Sequence, residues 1–506
     1  PVVELYRFTR ETGLRVFTSM DYSMYIKLSE IQARAILMNL ANDGFLSYDV
    51  EDRLATIQPK TFGHMAYATG KRDYDKLRFY STPKMGDNAT WSLINGFMEI
   101  RGVENVVLSN RRNVSIDPDD AVVTVKSGRD MVFNGRVRAG NIELNGHGLE
   151  FSYETFTIDF NKIEEVRLSI NDTESTDVIG RPRRIWLNNA LQDISGQLAI
   201  DHPTNRSGKK AESFPSYPEF TSKGTSFVYY DQPRLYEAAY NRDRFYYAVE
   251  PFKIEGLDEL TRENLKLAGT LVSAGIVPDI TRPLIVMPDN FLGMTAITPA
   301  NGSELYGGAA EFTSTLSLDG SGLRGDGVVN FLNAHVDGEA MVFLPDSIIG
   351  SFANMRHDWN EIDNVPFATG ESGRLRFEPY QRTLTLSSDV RPFELFEAQA
   401  ALTGSITVTD TGMKGAGLLE LTKASLKASD FTFESEKTLS QHAAFVLQGK
   451  NKSISAFATD DVQCSIDFDD RVGEFTPNSG ETAIELPIQQ YRCYMDKFRW
   501  FIDEDE

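Results

Sequence analysis

Two stretches of this chain repeat one another without a gap. LSLDGSGLRGDGVVNFLNAHVDGEAMVF begins at Leu316 and ITVTDTGMKGAGLLELTKASLKASDFTF begins at Ile406, an offset of 90 residues. Gly322, Gly325 and Gly327 align with Gly412, Gly415 and Gly417, Arg324 with Lys414, Ala334 with Ala424, and Phe343 with Phe433. A fainter third copy lies 192 residues before the first, pairing Met131 with Leu323, Gly135 with Gly327, Ile142 with Ala334, Gly146 with Gly338 and Phe151 with Phe343. Glycines at fixed places mark tight turns or close backbone approach. After them the pattern alternates. Ala334 and Val336, Ala424 and Leu426, or Ile142 and Leu144 form an apolar phase, while Asn333 and His335, Lys423 and Ser425, or Asn141 and Glu143 form a polar one. A second strand is expected to carry Met341 and Phe343, Phe431 and Phe433, or Leu149 and Phe151. Such a unit has one apolar face and buries it only by stacking on neighbours. The expected fold is therefore mainly β: a repetitive stacked sheet, whether β-helix, β-groove or sandwich array.

The first 84 residues differ. Ser29-Glu30-Ile31-Gln32 has the form of a capping box. Good helix formers run from it to Asn42, with Ile36, Leu37 and Leu40 spaced for one face and Gly44 placed to end the helix. A hairpin is expected from Phe45–Val50 and Leu54–Gln58, joined at Glu51-Asp52-Arg53. Helix then hairpin is the outline of a winged-helix C-terminal half, but the helix lacks a dense basic face for DNA, which favours a small α/β packing module. Beyond it we read β-rich segments at 85–200 and 236–350, further units at 351–440 and 441–506, and an exposed polar linker at 201–235. Strands are expected at Val122–Val125, Asn141–Leu144, Glu150–Ile158, Glu165–Ile170, Arg376–Leu386 and Ser405–Val408, with one helix near Asp258–Leu267.

Charge narrows the partners. With 73 acidic against 51 basic residues in 506, the net charge is −22 and the pI about 4.8. Such a surface repels nucleic-acid phosphates and anionic lipid over most of its area. No stretch approaches the ~20 apolar residues of a spanning helix. The chain opens at Pro1 without a Met and stops in Asp503-Glu504-Asp505-Glu506, which reads as a piece of a longer protein.

Reactive groups do not recur with the repeat. His64, His147, His202, His335, His357 and His442 show no metal-ligand spacing. Carboxylates cluster at Asp117, Asp119 and Asp120, at Asp358, Glu361 and Asp363, and at Asp467, Asp469 and Asp470; acids so placed serve glycoside hydrolysis or calcium binding, or form a solvated face. The Asp319–Gly327 loop looks like a calcium-binding Gly/Asp repeat, but Asp326 becomes Ala416 in the second copy, which favours turn geometry. Cys464 and Cys493 sit on apolar phases and suit either a cross-strand disulfide or two buried thiols. Phosphate-loop, dinucleotide and nucleophile-elbow motifs are missing. No catalytic residue, cofactor or metal ligand is assigned, and a non-enzymatic role is expected.

LAGTLVSAGIVPDITRPLIVMPDNFLGM (267–294), ELYGG (304–308), GLRGDG (322–327), FLPDS (343–347), MDKFRWFIDEDE (495–506) and two N-terminal stretches, ILMNLANDGFLSYDVEDRLATI and GRVRAGNIELNGHGLEFSYETFTIDF, resemble a family of large, repetitive, functionally uncharacterised envelope proteins of Bacteroidota. The resemblance implies an extracytoplasmic setting (periplasm, outer membrane or cell surface), a longer parent chain and envelope-protein partners, and it supplies no catalytic residues. The expected function is a structural or interaction scaffold. The alternatives are a lipid or glycolipid conduit in an apolar β-groove, and a carbohydrate-active or carbohydrate-binding β-helix that uses acids with Trp359 and Tyr380.

Overall fold

The computed structural model describes residues 1–504 other than 72, 74–76, 177–179, 181, 360–363, 450–454 and 481. It divides into two compact units: 1–186 with 191–226 and 251–261, and 187–190 with 227–250 and 262–506. The fold is mainly β with a small N-terminal α/β region.

That region holds α1 (Val2–Thr12), β1 (Val16–Thr18), α2 (Ser19–Ile26), α3 (Glu30–Asn42), β2 (Leu46–Asp49), β3 (Leu54–Ile57) and α4 (Pro59–Ala68). The strands pair in the order β1-β3-β2. The Ser29 box forms as read, with the Ser29 hydroxyl on the Gln32 N–H and Gln32 reaching back to the Ser29 N–H. A second box, Thr18 with Asp21, starts α2. Leu5, Phe8, Phe17, Tyr22, Leu37 and Leu40 fill the core.

The rest of the first unit is an antiparallel sheet. Here β4 (Ala89–Trp91), β5 (Met98–Arg101), β6 (Val122–Val125), β7 (Met131–Ala139), β8 (Ile142–Ser152), β9 (Thr157–Thr176), β10 (Leu191–Ala199), β11 (Glu219–Ser222) and β12 (Lys253–Ile254) each pair with the next, β11 and β12 branching from the sheet's main path at β10. Two expectations are corrected here. Glu150–Ile158 is not one strand: β8 ends at Ser152 and Phe156 turns at φ 59. Nor is 201–235 an exposed linker: Ser226–Tyr229 is a strand, and Val228, Tyr230 and Leu235 are buried. Buried Asp201 accepts from buried Arg112 at 2.8 Å, and Arg112 also donates to the Phe214 carbonyl at 2.5 Å. Asp201, Asn205 and Ser207 find partners inside the fold, from Arg112 and Asp73 as well as from each other, so their polarity does not imply exposure.

The second unit contains the first two copies of the repeat, and the third lies in β7 and β8 of the first unit. Strands β13 (Ala310–Asp319), β14 (Gly322–Phe331), β15 (Ala334–Phe343), β16 (Ile348–His357), β17 (Ala368–Glu378), β18 (Thr383–Leu395), β19 (Ala400–Thr409), β20 (Gly412–Glu420), β21 (Ala424–Phe433), β22 (Lys437–Gln448), β23 (Ser455–Asp467) and β24 (Val472–Pro477) form an antiparallel meander in sequence order. The copies share one register. Gly327 faces Gly338, Gly417 faces Ala428, and Gly135 faces Gly146 across the ladder. In each copy a bulge follows at once, between Gly325 and Gly327, Gly415 and Gly417, or Gly146 and Leu149.

This bulge corrects the reading of Ala334–Val336 and Met341–Phe343 as two strands. They belong to the single strand β15, whose buried phase changes at Ala340, a residue at φ 49. A bulge adds one residue to one side of a ladder and bends the strand. Register shifts also interrupt β16 with β15, β17 with β18, β18 with β19 and β22 with β23 near mid-strand. The helix expected near Asp258–Leu267 does not form. One short turn, Leu257–Glu259, lies there, and the Leu257 and Leu260 carbonyls accept from the Asn141 and Asn171 N–H groups instead of continuing a helix.

Bent strands let the second unit's sheet roll over. The Tyr306 hydroxyl, in the turn before β13, donates to the Leu344 and Ser347 carbonyls in the turn after β15. Phe331 at the end of β14 packs on Phe377 at the end of β17, with ring centroids 5.0 Å apart. Ser435 donates to Asn364 at 2.9 Å, and Arg471 to Gln399 at 2.5 Å. Each contact joins a turn on one edge of the meander to a turn on the opposite edge, three to five strands further along. The inward phases, such as Leu386, Leu402, Ile406 and Leu426, are thereby fully buried.

Candidate functional site

Most of the groups singled out from sequence lie apart and are occupied locally; His335 is brought to Asp358 at 3.4 Å, and Asp469 to the hollow beside Trp359. His335 is exposed and hydrogen-bonds Asn330; His442 meets Asp461 at 2.9 Å; buried His357 meets the Pro366 carbonyl at 3.0 Å; His64 and His202 pack on Phe45 and Phe214; His147 borders a polar recess with Lys162 and Glu165. Asp117 pairs with Arg138 at 2.6 Å, while Asp119 and Asp120 form a short turn. Asp358 pairs with Arg356; Glu361 and Asp363 lie outside the described residues. Burial pushes the Asp467 carboxyl up, but N–H groups of Asp470 and Asp469 and the Lys437 ammonium outweigh it, so its pKa lies below the ordinary value. Asp319 holds the Ser321 N–H and Arg324, and Asp326 accepts the Ala340 N–H at 2.6 Å, so these acids fasten the turn and the bulge. Among the described residues no three His, Cys, Asp or Glu side chains gather as a metal site. Both cysteines are free thiols; burial raises Cys464 to about 12.

Two recesses do gather chemistry. In the second unit, a hollow of about 410 Å³ is lined by Trp359, Glu397, Glu436 and Asp469, over a floor where Phe396 stacks on Phe468 at 4.1 Å. Trp359 is 53% exposed. Tyr380 is not brought there; its hydroxyl donates to the Pro345 carbonyl.

In the first unit, a pocket of about 690 Å³ surrounds β4, β5 and β6. Its apolar wall is Trp91, Met98, Ile100, Val125 and Met131, and its cations are Arg78, Lys126 and Arg129. None of the described residues that line it is acidic. Lys126 lies 3.3 Å from Glu150 and over the Phe97 ring, and Arg129 lies over the Tyr153 ring at 4.8 Å. Sequence reasoning passed over this pocket because its rungs come from strands of three to nine residues scattered over 89–139; only their register unites them.

The chain matches no protein-family model and no curated relative. Shown without them is a large, strand-rich, repetitive, multi-sheet protein. Among the described residues no helix is long and apolar enough to cross a membrane.

Proposed function

We infer that the chain is a non-enzymatic scaffold, a β-repeat that holds other proteins of the bacterial envelope on its outer face. The observation that carries this reading is the reuse of one strand unit in which only packing residues recur. The glycine at the bulge (Gly327, Gly417 and Gly135), the bulge itself and the inward Phe return in each copy, whereas His335 aligns with Ser425 and Glu143, and Asp326 with Ala416. A conduit needs its inward apolar row open to a lipid, but in the rolled meander that row is filled by its own side chains. The envelope setting rests on the resemblance to Bacteroidota proteins, and the acidic surface suits a soluble face there.

Cross-linking in the native membrane, followed by purification and mass spectrometry, tests this reading. The expected result is a fixed set of envelope proteins linked to outward residues of β13–β24. Recovery from the cytosolic fraction, or links to no protein, overturns it.

One observation favours a second reading, glycan binding. The exposed Trp359 indole beside Glu397, Glu436 and Asp469 offers a flat apolar face with acceptors around it, the arrangement that sugars stack on and hydrogen-bond. A glycan array probed with the chain and with Trp359→Ala decides it: binding lost in the variant supports this reading, and no binding by the parent removes it.

A further inference from the structure

The first unit's sheet carries a row of apolar partners directly opposite one another on successive strands. It runs Ile254, Phe220, Leu198, Ile158, Phe151, Met131, Val125, Met98 and Trp91, from β12 to β4. Cross-strand partners on one face sit about 5 Å apart, so the row is a continuous apolar track. Its middle is core: Phe220, Leu198, Ile158 and Phe151 are essentially inaccessible, and Met131 is 2% exposed. Its end is not. Met98 is 38% and Trp91 62% exposed, and the 690 Å³ pocket opens around them. The track therefore leaves the core and continues into a recess of the size that holds small ligands.

Charge indicates what fits. In a chain of net charge −22, the described residues of this lining include the cations Arg78, Lys126 and Arg129 and no carboxylate, the nearest one described being the exposed Glu150 on Lys126. An apolar slot bordered by cations complements a single apolar chain ending in an anion. We propose that this pocket binds one long-chain fatty acid, its alkyl chain along Trp91, Met98, Val125 and Met131 and its carboxylate at Lys126 and Arg129. Lys126 exchanges the exposed Glu150 carboxylate for that of the ligand. Burying the alkyl chain against these rungs removes apolar surface from water with every methylene added, which makes chain length the main determinant of affinity. This assignment stands on the first unit alone and is independent of the envelope setting.

The test uses the full chain with palmitate and with the uncharged monopalmitoylglycerol, read by native mass spectrometry and tryptophan fluorescence. One palmitate per chain is expected, with a blue shift that Trp91→Phe removes while binding persists. Lys126→Gln with Arg129→Gln is expected to weaken palmitate about tenfold or more, through loss of charge-assisted hydrogen bonds, and to leave monopalmitoylglycerol unchanged. Met98→Asp is expected to abolish both. Unaltered hydrogen exchange in β8–β10 shows that each variant is folded. Failure of palmitate to bind, equal binding of both probes, or palmitate binding indifferent to all of these substitutions overturns the proposal. So does a parent chain that is dimeric and becomes monomeric in Met98→Asp, since the track is then covered by a second copy.

Discussion

Gly417→Ala and Gly412→Ala differ by five positions in one repeat, and both replace a glycine of positive φ, 141° and 120°. At Gly412 an added Cβ meets nothing within 4 Å; at Gly417 it would sit 2.1 Å from the Thr403 carbonyl oxygen and 3.0 Å from the Gly404 Cα. Gly404 and Gly417 face each other across the ladder, and a Cβ at Gly404 would in turn meet the Ala416 oxygen at 2.1 Å. Backbone strain costs either variant about 1–3 kcal/mol, offset by about 0.5–1 kcal/mol from the reduced freedom of the unfolded chain. Only Gly417→Ala must also push β19 and β20 apart by about 1 Å, weakening two flanking ladder bonds at about 1 kcal/mol each. The expected difference is about 2 kcal/mol. A chain of two units does not unfold in one step, so the assay is hydrogen exchange in peptides covering β19 to β21, with α3 as internal reference. Exchange should be about 30-fold faster in Gly417→Ala than in Gly412→Ala. Equal exchange, or a larger effect at Gly412, refutes the claim that this glycine is set by close approach of two backbones.

Three further outcomes follow from particular contacts. Arg112→Met leaves Asp201 buried and uncompensated, so denaturant unfolding of the first unit should show a loss of about 3–5 kcal/mol, largely restored by adding Asp201→Leu; full stability in the single variant contradicts the buried pair. Thr18 donates to Asp21 through its hydroxyl and N–H at 2.7 and 2.8 Å, which lowers the Asp21 pKa from 3.8. Because the folded value is the lower one, this stabilisation is complete above about pH 4 and lost as pH falls through the folded pKa; Asp21→Asn should flatten the acid limb of N-terminal helix unfolding, and an unchanged limb rejects the box. A thiol reagent should modify Cys493 in the native chain and Cys464 only after unfolding, since burial holds Cys464 protonated; native labelling of Cys464 opposes its placement.

The repeat and the capping box were legible because each depends on residues close in sequence. Gly322–Gly327 set their own turn and bulge, and Ser29 and Gln32 hold each other. The roll of the sheet was not. Alternation restarts at Met341, and nothing local distinguishes a new strand from a bulged one. The Thr18-x-x-Asp21 box and Pro59 at the first turn of α4 were available signals for two of the missed helices. α1 has no side-chain cap and offered none of that kind. Residues 201–225 misled because polarity is a poor guide where Arg112, 89 residues away, supplies the partner. The palmitate pocket was hidden for a similar reason: Trp91, Met98, Val125 and Met131 meet only through pairing.

Spin labels at Asn364→Cys and Ser435→Cys, in a chain whose two native cysteines are replaced by Ala, measure the roll directly. In a flat meander these turns lie on opposite edges and five strand spacings apart, about 40 Å in all. In the rolled sheet Ser435 Oγ is 2.9 Å from Asn364 Oδ1. Pulsed dipolar spectroscopy should give one narrow distance near the short limit of the method; a distribution centred near about 40 Å contradicts a sheet that bends at its glycines to close on its own edge.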